Sequence, residues 1–172
     1  MKKLLTLVSA VAVAGLFSTA SASDRSGKWA IGYQDQFNGS ATGDWSVKYG
    51  LKSNVTIQGI LGFNTGKAAN DNLRIGARGL YDIIENENSQ FYTGLGVLFV
   101  TVDDNNRRMA LNVPVGFEFN VASLPEIAFS VEGGLNVNFA VDNGQDFSDN
   151  VSINTASSQI GGNLVLGVHY YF

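Results

Sequence analysis

The sequence predicts an all-β chain: an eight-stranded antiparallel up-and-down β-barrel of the transmembrane kind. Three observations predict it. Eight stretches place apolar residues at every second position, the connections between them alternate between short and long, and the aromatic residues of the apolar faces collect at strand ends. Side chains at i and i+2 share one face of a strand, so a period of two is the strand signal.

Before the first strand, "MKKLLTLVSAVAVAGLFSTASAS" has Lys2 and Lys3, an apolar run from Leu4 to Phe17, and Ala20-Ser21-Ala22 as a small-residue cleavage site. Residues 1–22 are therefore read as a secretory signal peptide and 23–172 as one barrel domain. The apolar run is too short for a membrane helix, which needs roughly 20 residues. With no cysteine there is no disulfide framework, no thiolate nucleophile and no site for a lipidated cysteine. Losing two of the 11 Lys+Arg and none of the 15 Asp+Glu leaves 9 minus 15, or −6, on the exported chain. That balance speaks against a nucleic-acid partner, whose phosphates need a basic face.

The strands follow in order. The first, 28–37, carries Trp29 and Phe37 near its ends; the second, 44–51, sets Trp45 and Tyr49 outward and Lys48 inward. The third, 55–64, closes on Phe63. The fourth, 73–84, has Tyr81 on the apolar face and Arg74, Arg78 and Asp82 on the other, and the fifth, 90–102, has Phe91 and Phe99 opposite Gly94 and Gly96. In the sixth, 109–121, the apolar set is Met109, Leu111, Val113, Val115, Phe117, Phe119 and Val121. The seventh, 127–140, repeats this with Ile127, Phe129, Val131, Leu135, Val137 and Phe139, broken only by Gly133. The eighth, 159–172, ends on Leu164, Leu166, Val168, Tyr170 and Phe172.

Alternation alone does not say which face is inside: a water-soluble barrel turns its apolar face inward and a membrane barrel turns it outward. Three features decide for the outward reading. The second, fourth and sixth turns are short ("KSN", "ENENS", "SLPE") while the others are longer and polar, the last spanning about 141–158. The polar face is rich in glycine, which suits a crowded lumen better than a wetted surface. The aromatics form two girdles, as rings do at the two membrane interfaces. Closing the last strand on the first removes the open edge. Pro114 lacks a ladder donor, so an irregularity is expected there.

The stretches "LNVPVGFEF" and "IAFSVEGGL", with inward Glu118 and Glu132, look like the sixth and seventh strands of the small outer-membrane barrels of the OmpA/OmpX type, and the pattern resembles that family over the mature chain. The final "VHYYF" is similar to the family's assembly signal, with Val168, Tyr170 and Phe172 as its residues. The resemblance implies a Gram-negative outer membrane reached by export, contact with outer-membrane lipid and lipopolysaccharide, and handling by periplasmic chaperones and the outer-membrane assembly machinery. It does not imply one activity.

Lys48, Arg74, Arg78, Glu118 and Glu132 are the candidate interior polar cluster, with Asp82 a further inward charge. Buried charges require partners, so a structural plug is the leading reading and an ion or proton path the rival. His169, the single histidine, points inward at the short-turn end and reads as packed rather than catalytic. Asp142, Asp146 and Asp149 do not have calcium-loop spacing. Arg107 and Arg108, placed in the fifth connection with Asp103 and Asp104, are either a lipopolysaccharide contact or a polar tip. No metal cluster, phosphate loop, catalytic triad or cofactor site is visible. The expected protein is a monomeric, non-enzymatic barrel, closed to solutes, with a structural, adhesive or surface-binding role carried by its loops. The rivals are a lipid A-modifying enzyme and a soluble lipocalin-like barrel for a lipophilic ligand.

Overall fold

The structure is a computed structural model that describes residues 24–36, 43–64, 72–101, 107–140, 151–155 and 164–172. The predicted signal peptide, Phe37, most of the fifth connection with Asp103 and Asp104, and the loop acids Asp142, Asp146 and Asp149 lie outside these residues.

Among the described residues there are nine strand segments: β1 Trp29–Gln36, β2 Asp44–Lys52, β3 Val55–Asn64, β4 Asn72–Asn86, β5 Ser89–Thr101, β6 Arg107–Val121, β7 Leu124–Ala140, β8 Val151–Thr155 and β9 Val165–Tyr171. Each of β1 to β7 pairs antiparallel with the next, and β9 pairs with both β7 and β1. The fold is a closed eight-stranded antiparallel barrel. Closure through β9, which joins β7 to β1, leaves no edge along that strand, so its backbone donors and acceptors find partners on both sides; among the described residues β8 pairs with β7 alone.

The ninth segment comes from the last position of the ring. β8 pairs with the upper part of β7, Phe139↔Val151 to Leu135↔Thr155, and β9 with its lower part, Glu132↔Val165 to Ile127↔Tyr170. Between Leu135 and Glu132 β7 advances three residues while its partner advances ten, from Thr155 to Val165, so the register shifts by seven. The sequence reading, which places a loop over 141–158 and one strand over 159–172, is corrected accordingly. Arg107 and Arg108 are also corrected: both pair within β6, opposite Thr101 and Val100, and are exposed there.

Pro114 produces the expected irregularity. The β5–β6 ladder is interrupted between Thr93↔Val115 and Gly96↔Asn112 without a change of register, because proline has no N–H to give. Thr93 Oγ1 donates instead to the Pro114 carbonyl at 2.9 Å. Across the other edge Pro114 faces Gly134, whose φ is +155°. A Cβ at Gly134 would stand 2.2 Å from the Val113 carbonyl oxygen, so the chain needs glycine there.

The faces sort as a membrane barrel requires. Trp45, Phe63 and Phe99 are exposed toward the long connections, and Trp29, Tyr81, Phe119, Phe129, Tyr170 and Phe172 toward the short turns. Between them Ile31, Val47, Ile75, Val97, Val113 and Val115 continue an apolar belt. The buried face is instead mostly polar, including Gln34, Ser46, Gln58, Gln90, Asn112 and Asn136. This is the inverse of a water-soluble barrel.

Candidate functional site

The buried charges of the described residues gather in the lumen. Among the described residues four buried cations, Arg25, Lys48, Arg74 and Arg78, face four buried acids, Asp44, Asp82, Glu118 and Glu132. All but Arg25, which precedes β1, reach the interior because strand parity turns even-numbered residues of β2, β4, β6 and β7 inward. The balance of charge matters more than the number, since an unpaired ion in a dry lumen costs several kcal/mol.

Glu118 anchors the lower layer. Its Oε1 accepts from Arg25 Nη1 and, at 2.7 Å, from the Tyr171 hydroxyl, while its Oε2 accepts from Lys48 Nζ. Arg25 Nη2 also donates to Asn120 Oδ1 at 2.9 Å. Arg25 comes from the short segment ahead of β1, which is held by Gly27 N donating to the Gly50 carbonyl at 2.8 Å. Its guanidinium therefore caps the short-turn mouth from inside.

Glu132 anchors the next layer. Arg78 Nη1 donates to its Oε1 at 2.5 Å and the Tyr92 hydroxyl to its Oε2 at 2.9 Å. Arg78 Nε continues to Gln58 Oε1 at 2.7 Å, and Gln58 Nε2 to Ser46 Oγ at 2.5 Å and Gln34 Oε1 at 3.1 Å. Room for the Tyr92 ring is made at Gly116, where a Cβ would stand 2.3 Å from it. Arg74 lies apart, nearer the long connections, donating through Nε to Asp44 Oδ1 at 2.8 Å.

The predicted cluster thus divides. Lys48 and Glu118 meet, Arg78 and Glu132 meet, and Arg74 belongs to a separate pair with Asp44. Sequence reasoning missed Arg25, because it lies outside any periodic segment, and Asp44, because it opens a strand. Tyr92 and Tyr171 could have been found, since both hold inward parity on their strands.

His169 lies inward, with Nε2 2.9 Å from Ser46 Oγ. Its Nδ1 is 3.8 Å from Glu118 Oε2, beyond hydrogen-bond reach, and has no partner. A serine, an imidazole and a carboxylate thus stand in line, but Ser46 and His169 are 1% exposed and Glu118 is 0% exposed. Among the described residues no group of three or more metal-ligating side chains is positioned to hold an ion.

No protein-family model matches the chain, and no curated protein matches it. Among solved structures it is similar to the N-terminal β-barrel domain of OprF from Pseudomonas aeruginosa, with 12% identity over 84% of this chain and 96% of that one, at a TM-score of 0.52. The fold is that of a small outer-membrane barrel. Ail, the attachment invasion locus protein of Yersinia pestis, also matches, with 14% identity over 86% of this chain and 99% of that one at a TM-score of 0.35; the likeness of fold rests on OprF. Val168, Tyr170 and Phe172 of this barrel all lie on its outer face, and His169 and Tyr171 on its inner one.

Proposed function

We propose that the protein is an integral protein of a bacterial outer membrane, exported by its signal peptide, closed to solute flow, and not an enzyme. The observation that carries this reading is the inversion of the barrel: an exposed apolar belt surrounds a lumen in which four buried cations pair with Glu118, Asp44 and Glu132. An eight-stranded ring leaves an interior just wide enough for side chains, and here layered ion pairs occupy it. The long connections then carry recognition at the surface, structural or adhesive, in contact with lipopolysaccharide. Val168, Tyr170 and Phe172 present an outward apolar row to the assembly machinery. Surface recognition is supported by the asymmetry between short turns and long polar connections.

The test is reconstitution. The mature protein should need detergent to stay in solution, enter lipid vesicles, and run as a heat-modifiable band in gel electrophoresis. A protein that stays monomeric and folded in plain buffer would instead be a soluble barrel.

A further inference from the structure

The apolar belt is not evenly padded. Register across β2, β3, β4 and β5 sets two neighbouring lateral rows on the outer face: Tyr49, Ile57, Gly79 and Leu95 in one, Val47, Gly59, Ala77 and Val97 in the other. The second row is small at its centre, at Gly59 and Ala77, and the first is small at Gly79 alone. A Cβ built at Gly59 or Gly79 meets nothing within 4 Å. The wall is therefore hollowed into a depression of about 670 Å³ with Trp29 and Tyr49 at one end.

We infer that this depression seats an acyl chain of an anionic phospholipid from the leaflet that meets the short turns, with the lipid phosphate at Lys52. The inference rests on the membrane reading above.

The decisive feature is a register irregularity between Gly50 and Lys52. Along β2, Ser46, Lys48 and Gly50 point inward, and an unbroken strand would send Lys52 the same way. The irregularity sets Lys52 opposite Val55 instead, in the outward row that continues to Tyr81. Lys52 is exposed there, one row from Tyr49 and Gly79 and two rows from Gly59 and Ala77. A lysine on an apolar wall extends its stem along that wall and brings its ammonium to the interface.

The surroundings of Lys52 complete the match. Trp29 and Tyr49 pack with ring centroids 4.6 Å apart and bring an indole N–H and a phenol to the same rim, where such groups favour the headgroup region. Glu85 and Glu87 lie farther out, on the β4–β5 hairpin beyond the Val55↔Tyr81 pair. An apolar hollow that ends at hydroxyl and N–H donors, with a cation in the next outward row beyond Tyr49, has the polarity of a lipid with an anionic head. A zwitterionic lipid would fill the hollow equally well and gain less at Lys52.

The test is native mass spectrometry of the folded protein from detergent containing equal amounts of dimyristoyl phosphatidylglycerol and dimyristoyl phosphatidylcholine. The wild type should retain phosphatidylglycerol in preference by about fivefold, the attraction of one lysine for an anionic surface. Lys52→Gln should abolish that preference. Gly79→Leu, or Gly59→Leu if the first fails to fold, should reduce retention of both lipids while the heat-modifiable band persists. Equal retention of both lipids by the wild type, or unchanged retention when the hollow is filled, would overturn the inference. A dimer mass lost on filling the hollow would assign it to a second copy and overturn it too. Failure of the membrane reading would be seen separately, as a protein that stays in solution without detergent.

Discussion

Arg25, which precedes the first strand, donates to Glu118, 93 residues later on β6, and shares that carboxylate with Lys48. One acid thus holds two cations, and the consequences of losing each are unequal. Truncation of Glu118 to Ala leaves two buried cations facing each other, with a cost of about 3 to 5 kcal/mol. Arg25→Ala leaves the Glu118–Lys48 pair intact and should cost clearly less. Urea unfolding of both variants from lipid vesicles checks the order, and an Arg25→Ala variant less stable than Glu118→Ala would contradict it.

Adjacent glycines on β7 offer a second contrast. Gly134 has a φ of +155° and no room for a Cβ, whereas a Cβ at Gly133 meets only Leu164 at an ordinary 3.6 Å. Gly134→Ala should destabilise the barrel by about 1 to 3 kcal/mol, and Gly133→Ala should stay within about 0.5 kcal/mol of wild type. The same unfolding measurement separates them.

The outward assignment of β6 makes a third prediction. Val115 is 43% exposed in the belt between the girdles. Val115→Arg should lower the stability of the protein folded in lipid by about 2 to 4 kcal/mol. Wild-type stability for this variant in bilayers would mean that the face meets water.

Much of this fold was legible in the sequence, because a half-buried strand writes its two faces into alternate positions. The phase of the last strand is an example: Leu164, Leu166, Val168, Tyr170 and Phe172 form an unbroken apolar set at every second position and are the exposed ones. Lys48, Arg78, Glu118 and Glu132 were legible as inward residues for the same reason. Their pairing was not. Arg78 on β4 meets Glu132 on β7 across the lumen, a contact set by barrel diameter and side-chain length rather than by spacing along the chain. Arg25 was invisible because no period runs through its segment. β8 was hidden because "VSINT" sits among polar residues and joins the ladder seven residues out of register with β9.

The proposal that the lumen is closed to solutes predicts electrical silence. With Glu118 and Glu132 each bridged to cations and tyrosines, planar bilayers holding the wild-type protein should show no large, stable single-channel steps. Reproducible steps of that kind would make the interior a pore and the polar cluster its lining.

The central claim is that the apolar face of the barrel meets lipid, and the two tryptophans report on it without any substitution. Trp29 is exposed near the short turns and Trp45 near the long connections, one in each girdle. Their fluorescence in vesicles should be quenched strongly by lipids brominated near the headgroup, more weakly by lipids brominated near the bilayer centre, and little by iodide in the aqueous phase. Strong iodide quenching with no response to brominated lipid at either depth would place both rings in water and contradict the account.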